Sequence, residues 1–474
     1  MPYSHTTLAQ LKTALAARLG DAGNVYWTNL LHTTVPDYNE LNLYIQEALH
    51  TWSLITGYWR DSGQFQTVNA TAFYDISTLS NPITLNFYTI LDQTVINTIQ
   101  YHLLEYVNSW TPGDTTWAGS EQFTMSDLTG AIQRRRDNLL VETGAVLTIL
   151  SQALPANSTY IDLPDTTLQV RELAWMDGTT STVWPLYPED ISNQRNYSAG
   201  YLTTPNTPQT FSSSSQKPLR FTLAPPSNEP GTVSGLLVTS GAALGTTGVA
   251  LGVPDDMAWI VKWGALADIL GREGPGQDLA RAYFCERRWK LGIALAQISQ
   301  VVVNAEINGV SLSPESISRL DQYNPNWQSA TGVPNMVGSF RNIVALSPAP
   351  NGTYSVFLDI VRNAVVPNSD ADFIQIGREY LDPLLDYCEH LASFKSGGME
   401  FRHTFRAAEN FFNAALSYNQ RLAAQHPNIL ELVRQSTLDD YVLPPKKKST
   451  NPPLEQQAQT QDQAAQMKSI YQNL

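Results

Sequence analysis

The sequence is short of charge and of cysteine. Only 15% of its 474 residues are charged, and Cys285 and Cys388 are its two cysteines. So few thiols exclude a fold held together by many disulfides, and we expect both to be buried thiols in a reducing compartment. The low charge leaves uncharged polar side chains to cover much of the surface, which suits extensive contacts with other proteins.

Signals for export and for membrane insertion are also lacking. The N-terminus, Met-Pro-Tyr-Ser-His, has neither the basic region nor the apolar core of a signal peptide. The long uncharged stretch 235–253 is divided by glycine and threonine, so it predicts two short strands and a turn rather than a spanning helix. We therefore expect no membrane partner. The net charge of −14 argues against nucleic-acid binding over the whole surface.

Motifs that carry chemistry are absent as well. The histidines are scattered without His-Glu-x-x-His spacing, and neither Cys-x-x-Cys nor Gly-x-Ser-x-Gly occurs. The glycines of 271–276 lack the Lys-Ser/Thr of a phosphate loop, and capping of the following helix explains Asp255 and Asp256. We therefore predict no catalytic residue, no metal site and no cofactor, and a protein that is not an enzyme.

Apolar periodicity predicts a chain dominated by long helices. The spacing typical of helices is found at 6–20, 36–55, 91–110, 126–154, 254–272, 276–300, 370–393 and 398–424. Strand-like segments are 71–77, 82–90, much of 159–253, and 341–361. The predicted fold class is α+β, mainly α: bundles of long helices with inserted small antiparallel β-sheets, two nested pseudo-repeated modules and an extended C-terminal tail.

What the sequence does contain is self-similarity, which indicates architecture more directly than any single motif. The motif Leu-x-x-x-Ile-Gln at 41–46 recurs at 128–133, an offset of 87 residues (128 − 41). The motif Leu-Ala-Pro-Pro-Ser-Asn at 223–228 recurs as Leu-Ser-Pro-Ala-Pro-Asn at 346–351, an offset of 123 (346 − 223). The copies follow one another in the order front, front, back, back, whereas a tandem duplication would give front, back, front, back.

This order predicts that one module is nested within another. The inserted module is predicted at 120–310, and the outer module is predicted to combine 1–115 with 335–425. Such an insertion is tolerated at a surface loop whose two ends lie close together. The polar, Gln-rich segment 427–474 predicts an extended tail. Chance similarity between sequences with the same order of helices and strands remains the alternative.

The inserted module carries an ordered set of motifs. They are Tyr-Ile-Asp-Leu-Pro-Asp at 160–165, Val-Arg-Glu-Leu-Ala-Trp-Met-Asp-Gly at 170–178, Trp-Pro-Leu-Tyr-Pro at 184–188, Leu-Ala-Pro-Pro at 223–226, Val-Pro-Asp-Asp-Met at 253–257 and Asp-Leu-Ala-Arg-Ala-Tyr-Phe-Cys-Glu at 278–286. In this order the set resembles the head-to-tail connector (adaptor) proteins of tailed bacteriophages. The chain departs from that family in carrying a second copy of the module.

The resemblance implies a helical bundle with an inserted β-sheet, many copies of which form a ring beneath the portal. It implies a structural virion protein in the neck of a tailed phage, made in the host cytoplasm, that joins the portal to the tail and lets DNA pass. The implied partners are other copies in a twelve-fold ring, the portal protein, the next tail or nozzle component, and phage DNA in non-specific proximity.

Three consecutive arginines form the sharpest candidate interaction cluster. Arg134, Arg135 and Arg136 lie in a predicted helix, where consecutive side chains spread over most of a turn and cannot all face one groove. We expect them to form solvated or interface ion pairs. Contact with DNA in a channel is the alternative.

Two further basic groups are candidates. Arg287 and Arg288 belong to a basic stripe on the predicted helix 276–300, and we expect an exposed face laced with salt bridges. The tail contains Lys446, Lys447 and Lys448, for which we expect a protein contact. Contact with DNA, or a merely solubilising role, is the alternative for these lysines.

Two other functional classes stay open. Eleven tryptophans and the β-rich middle favour a receptor- or glycan-binding tail protein. Against it, the aromatic residues occur in predicted helices as well as strands. A virion-associated hydrolase would need carboxylates clustered in a cleft, and nothing in the sequence indicates them.

Overall fold

Helices form over most of the segments that show helical periodicity. In the computed structural model they are α1 Leu8–Arg18, α2 Glu40–Thr56, α3 Asp92–Leu103, α4 Met125–Thr143, α5 Ala258–Gly271, α6 Leu279–Ile298, α7 Ile317–Tyr323, α8 Leu381–Ser396, α9 Gly398–His403, α10 Phe405–Tyr418, α11 Gln420–Gln425 and α12 Asn428–Thr437. Thr7 and Thr124 begin α1 and α4 with capping boxes, which satisfy amides that the helix leaves unpaired.

Strands occupy much of the intervening sequence. They are β1 Arg60–Gln66, β2 Phe73–Asp75, β3 Leu147–Leu154, β4 Tyr160–Asp162, β5 Thr167–Asp177, β6 Val183–Pro188, β7 Thr210–Ser214, β8 Lys217–Ala224, β9 Gly231–Thr239, β10 Val302–Ile307, β11 Val310–Ser311, β12 Ser313–Glu315, β13 Thr331–Gly332, β14 Met336–Phe340, β15 Ile343–Ser347, β16 Ala349–Pro350 and β17 Ser355–Val361.

The structure describes residues 3–21, 27, 40–77, 88–103, 123–180, 182–190, 192–193, 200, 203–214, 217–245, 248–274, 276–299, 301–324, 326–396 and 398–437. The chain as far as Thr437 forms one compact unit. The predicted strand at 82–90 lies mostly outside the described residues, as does nearly all of the predicted tail.

The strands overturn the predicted fold class. Helix accounts for 42% of the residues and strand for 27%, and the largest sheet has seven strands curved as a half-barrel. The prediction of a mainly helical protein with small antiparallel sheets is therefore wrong. The sheets are also mixed, because β6 pairs with β7 and β12 pairs with β14 in parallel.

Part of the error lies in segment 144–154. The periodicity predicts a single helix over 126–154, but α4 ends at Thr143. Gly144 then adopts the left-handed conformation (φ 60°, ψ 33°), and its amide donates to the carbonyl of Leu140. The following apolar run becomes strand β3, since a short apolar run fits a buried strand as well as a helix. The helix predicted at 370–393 likewise begins only at Leu381.

One strand order occurs twice in the structure. The seven-stranded sheet has the order β3-β9-β5-β6-β7-β8-β4. The two four-stranded sheets divide the same order between them, as β1-β17-β10-β11 and β12-β14-β15-β2. The parallel pairs β6–β7 and β12–β14 fall at corresponding places. Apart from the short β11, each strand of these two sheets thus has a counterpart in the seven-stranded sheet.

The registers of these strands are related by constant offsets. Arg60 pairs with Val361, and Leu147 pairs with Val238. The first members of these pairs are 87 residues apart (147 − 60), and the second members are 123 residues apart (361 − 238). The same offsets relate a second set of pairings, Phe73 with Ala345 and Tyr160 with Thr222. The offsets between the sequence motifs are therefore also the offsets between the strand pairings.

The segments that lead into α1 and α3 are related in the same way. Thr7 bridges to Phe373, and Leu91 bridges to Ala250, with offsets of 84 (91 − 7) and 123 (373 − 250). We therefore treat 3–77 with 301–437 as the first module and 88–299 as the second module. The module limits predicted from the sequence stay predictions. These pairings favour assigning α3 to the inserted module and β10 to the outer module.

Each module has its own apolar core beside its sheet, and four positions correspond between the two. They are Ile76 and Leu163, Leu346 and Leu223, Val356 and Val233, and Ile360 and Leu237. Cys285 and Cys388 are both buried, as predicted. The duplicated core positions explain how the two modules keep one topology.

Candidate interaction surface

The three consecutive arginines of α4 take three different roles. Arg136 is fully buried and donates to the carbonyl of Ala242 at 2.7 Å. Arg135 bridges Asp268 and Glu286. The side chain of Arg134 is 64% exposed, with its guanidinium 3.4 Å from Asp268. Of the three, Arg134 has the guanidinium most available to a partner.

The arginines of α6 are held by neighbouring helices. Arg287 donates to the carbonyl of Gln435 at 2.9 Å, which ties α12 to α6. Arg288 is fully buried, and its guanidinium lies over the rings of Phe284 and Tyr387 at 5.2 and 5.5 Å. Burial lowers the pKa of Arg288. Arg288 therefore belongs to the interior rather than to an exposed basic stripe, whereas Lys446, Lys447 and Lys448 lie outside the described residues.

The contact between the modules contains a buried ion pair that sequence analysis missed. Lys262 of α5 pairs with Glu47 of α2, and Trp263 donates from Nε1 to the same carboxylate at 2.9 Å. His102 lies 3.3 Å from the Lys262 ammonium and stacks on Trp263. Burial lowers the pKa of Lys262 and holds that of His102 well below its usual value.

A second buried pair lies in the first module. Lys395 of α8 donates to Glu40 of α2 at 2.8 Å, and the Tyr44 hydroxyl donates to the same carboxylate. Burial raises the pKa of Glu40, and the Lys395 charge opposes that rise. Charges inside an apolar run, such as Lys262 in Trp-Ile-Val-Lys-Trp, were the available sequence signal for these pairs.

A groove lies between α2 and α8 of the first module and is occupied by side chains of the second module; we call it the filled groove. Tyr44, Glu47 and Phe394 line it. The second module projects His102 and Trp263 into it, with the Trp263 ring 5.0 Å from that of Phe394 and the His102 ring 5.9 Å from that of Tyr44. The filled groove therefore combines an ion pair with aromatic packing, and it fixes one module against the other.

The tip of the β14–β15 hairpin makes another contact between the modules. Arg341 donates to the carbonyl of Ser299 at 2.6 Å, at the end of α6. Asn342 accepts from the amide of Leu147 at 2.8 Å and donates to its carbonyl at 2.9 Å. Burial, assisted by Arg171, lowers the pKa of Arg341 to about 10. The positive charge lies where a helix C-terminus favours it.

A groove of about 660 Å³ runs between α4 and α5 of the second module, and we call it the open groove. Its lining includes Asp127, Ala131, Arg134, Gly271 and Arg272. Arg272 pairs with Asp127 across it, with side chains 59% and 31% exposed. The lining of the open groove combines two arginines with Asp127 and Asp268 and includes the small residues Ala131 and Gly271.

A polar cleft of about 340 Å³ beside the filled groove is lined by Glu47, His50 and Lys262. The ring of His50 lies 2.7 Å from Asp256, which also accepts from the amide of Ala364 at 3.0 Å. A His–Asp pair can move a proton, but here both groups join one module to the other, because His50 and Ala364 lie in the first module and Asp256 in the second. The arrangement serves as a junction between modules.

The described ranges contain neither a metal-binding cluster nor a membrane-spanning helix. No group of three or more His, Cys, Asp or Glu residues there could hold a metal ion. Of the helices in that part of the chain, none is long and apolar enough to cross a membrane.

No model of a known protein family matches the chain, and no curated protein matches it.

Proposed function

We propose that the chain is a structural virion protein of a tailed phage that forms a ring in the head-to-tail connector. The observation that carries the proposal is the duplicated module, whose strand pairings repeat with offsets of 87 and 123 residues. Repetition of a scaffold is expected of a protein that builds an assembly from like parts. The ordered motifs at 160–188 and 253–281 resemble those of the connector family, and this resemblance supports the proposal.

The charged side chains between the modules support a structural role. Lys262 and Trp263 of the second module both donate to Glu47 of the first, and Arg341 and Asn342 bond to backbone groups of the second module. Groups held in this way keep two modules in a fixed relation. A ring subunit needs this property, because closure depends on a constant rotation from one unit to the next.

The proposal assigns the following partners and location. The chain would lie in the neck of the particle after synthesis in the host cytoplasm. It would contact other copies in a ring, expected to be twelve-fold, together with the portal protein and the next tail or nozzle component. The net charge of −14 suits a channel that DNA passes without binding. No enzymatic activity and no cofactor form part of the proposal.

One observation favours the second candidate, a receptor- or glycan-binding tail protein. Three aromatic side chains on strands β4 and β6 are well exposed: Tyr160 at 48%, Trp184 at 43% and Tyr187 at 62%. The Arg220 guanidinium lies over the Tyr160 ring at 4.1 Å, which leaves Trp184 and Tyr187 as the more open faces. Aromatic faces of this kind can stack on sugar rings.

Sedimentation velocity and a glycan array separate the two candidates. The connector proposal expects the full chain to co-sediment with portal rings as a discrete complex and to give no glycan signal. A chain that stays monomeric beside intact portal rings and binds a defined glycan, with loss of binding in Tyr187→Ala, would establish the second candidate instead.

A further inference from the structure

We propose that the open groove receives the first module of a second copy of this chain. The incoming surface consists of Arg18 on α1 with Asp382 and Asp386 on α8, and we call it the acidic projection. The inference rests on the proposed ring, and it specifies the contact by which neighbouring chains join.

The two grooves occupy equivalent places in the two modules. Glu40 and Lys395 pair beside the filled groove, and Asp127 and Arg272 pair across the open groove. The offsets are 87 (127 − 40) and 123 (395 − 272), the same values that relate the strands. An acid on the first long helix and a base on the later one thus occur in both modules.

The open groove lacks the bulky residues of its counterpart. The same offsets place Ala131 where the first module has Tyr44, and Gly271 where it has Phe394. Both large side chains are fully or almost fully buried in the filled groove. Their replacement by a methyl group and a hydrogen leaves room for an incoming surface.

His102 and Trp263, which occupy the filled groove, also have counterparts on the outside of the first module. His102 corresponds to Arg18 by an offset of 84 (102 − 18), and Trp263 corresponds to Asp386 by 123 (386 − 263). Arg18 pairs with Asp386 at 2.6 Å and with Asp382 at 2.9 Å. The Asp382 side chain is 87% exposed, so the acidic projection is accessible.

Charge is complementary at the proposed contact, and the open groove has an arginine where the filled groove has a glutamate. In the filled groove, the Glu47 carboxylate accepts from Nε1 of Trp263, the residue whose counterpart is Asp386. The counterpart of Glu47 in the open groove is Arg134, since 47 + 87 gives 134, and it would face Asp386. Arg134 and Arg272 have side chains 64% and 59% exposed, available to acidic partners.

A contact of this kind repeats from one copy to the next, and it closes into a ring when the rotation per copy divides a full turn. The surface offered by one copy differs from the surface it uses on the next, so the contact is head-to-tail. Each chain would then contain one permanent contact, the filled groove, and form one reversible contact of the same kind with its neighbour. The filled groove is already occupied by His102 and Trp263 of the chain's own second module.

A charge exchange tests the pairing. Arg134→Glu and Asp386→Arg should each raise the concentration needed for ring formation by at least about ten-fold, and the double variant should recover much of that loss. Arg319→Glu, at a side chain 61% exposed on α7, is the matched control and should assemble normally. Unchanged thermal unfolding in each variant would show that folding is intact.

Cysteine cross-linking gives a readout that does not depend on affinity. The double variant Arg134→Cys, Asp386→Cys should give a ladder of disulfide-linked chains on oxidation, whereas Arg319→Cys with Asp386→Cys should not. Rings that form without this ladder and tolerate both charge reversals would overturn the groove contact while leaving the connector proposal intact. A wild-type chain that forms no ring, alone or with portal rings, would overturn both proposals.

Discussion

At the scale of single residues, two buried charge pairs stand out, Glu47 with Lys262 and Glu40 with Lys395. Glu47 and Lys262 face each other across the contact between the modules, with side chains 6% and 4% exposed. A buried pair of this kind adds little net free energy compared with an apolar pair, but leaving one partner alone is costly. Its main effect is to fix which surfaces meet.

Removal of one partner from this pair should be strongly destabilising. We expect Lys262→Met to lower the free energy of unfolding by about 3–5 kcal/mol, because the Glu47 carboxylate would stay buried without its base. The double variant Glu47→Gln, Lys262→Met should recover most of that loss. Arg319→Ala breaks an exposed pair with Glu315 and should cost about 0.5 kcal/mol or less. Denaturant unfolding measures the stability of all three variants. Equal losses in Lys262→Met and Arg319→Ala would contradict the role of the buried pair.

A carboxyl group at another module contact should make stability depend on pH. Glu172 of β5 accepts from the Gln328 amide at 3.1 Å, and burial together with nearby Asp321 raises the pKa of Glu172 from 4.5 to about 7. Because the folded chain holds this proton more tightly than the unfolded chain, its stabilising effect is complete below pH 4.5 and lost as the pH rises through 7. The unfolding temperature of Glu172→Gln should therefore fall less between pH 4.5 and 7 than that of the wild type.

The control for this experiment is Glu229→Gln, at an exposed loop position. Its unfolding temperature should follow the wild-type pH profile. If Glu172→Gln follows the wild-type profile too, Glu172 does not carry the proton that links stability to pH.

At the scale of elements, the sequence predicts helices better than strands. The helices near 6–20, 254–272 and 276–300 are confirmed as α1, α5 and α6. Strand β3 is lost in a predicted helix, because its apolar run continues the periodicity of α4. Arg134, Arg135 and Arg136 could be placed on a helix, but their separate roles depend on which neighbours fold against each face.

Replacement by alanine should change stability in opposite directions at two glycines, one inside α4 and one at its end. Gly144 ends α4 at φ 60°, and an added Cβ would lie 2.9 Å from the Phe340 ring. We expect Gly144→Ala to cost about 1–3 kcal/mol. Gly130 lies inside α4, where a Cβ would meet only Arg134 at 3.7 Å, so Gly130→Ala should stabilise by up to about 1 kcal/mol. Thermal unfolding distinguishes the two, and a stabilised Gly144→Ala would contradict the proposed role of the helix end.

At the scale of the whole molecule, the offsets of 87 and 123 residues were visible in the sequence, and the strand pairings repeat them. The buried pairs were not predictable, because Glu47 and Lys262 are separated by 215 residues and belong to different modules. Their meeting depends on how the modules pack. The equivalence of the two grooves likewise emerges only when the pairings fix which residues correspond.

The C-terminal segment should act in assembly rather than in folding. Deletion of 443–474 should leave the thermal unfolding of the chain unchanged and weaken its incorporation into particles, since a tail that orders on a partner contributes through binding. The full-length triple alanine variant of Lys446, Lys447 and Lys448 shows whether charge alone explains the loss. Normal incorporation of the truncated chain would contradict this role.

The central claim is that two like modules in each chain build a ring beneath a portal, and cryo-electron microscopy of the full chain mixed with portal rings from the same virus tests it most directly. We expect a closed ring docked on the portal, with both modules of every chain visible and the acidic projection of one chain in the open groove of the next. A chain that remains monomeric while the portal rings stay intact would contradict the claim.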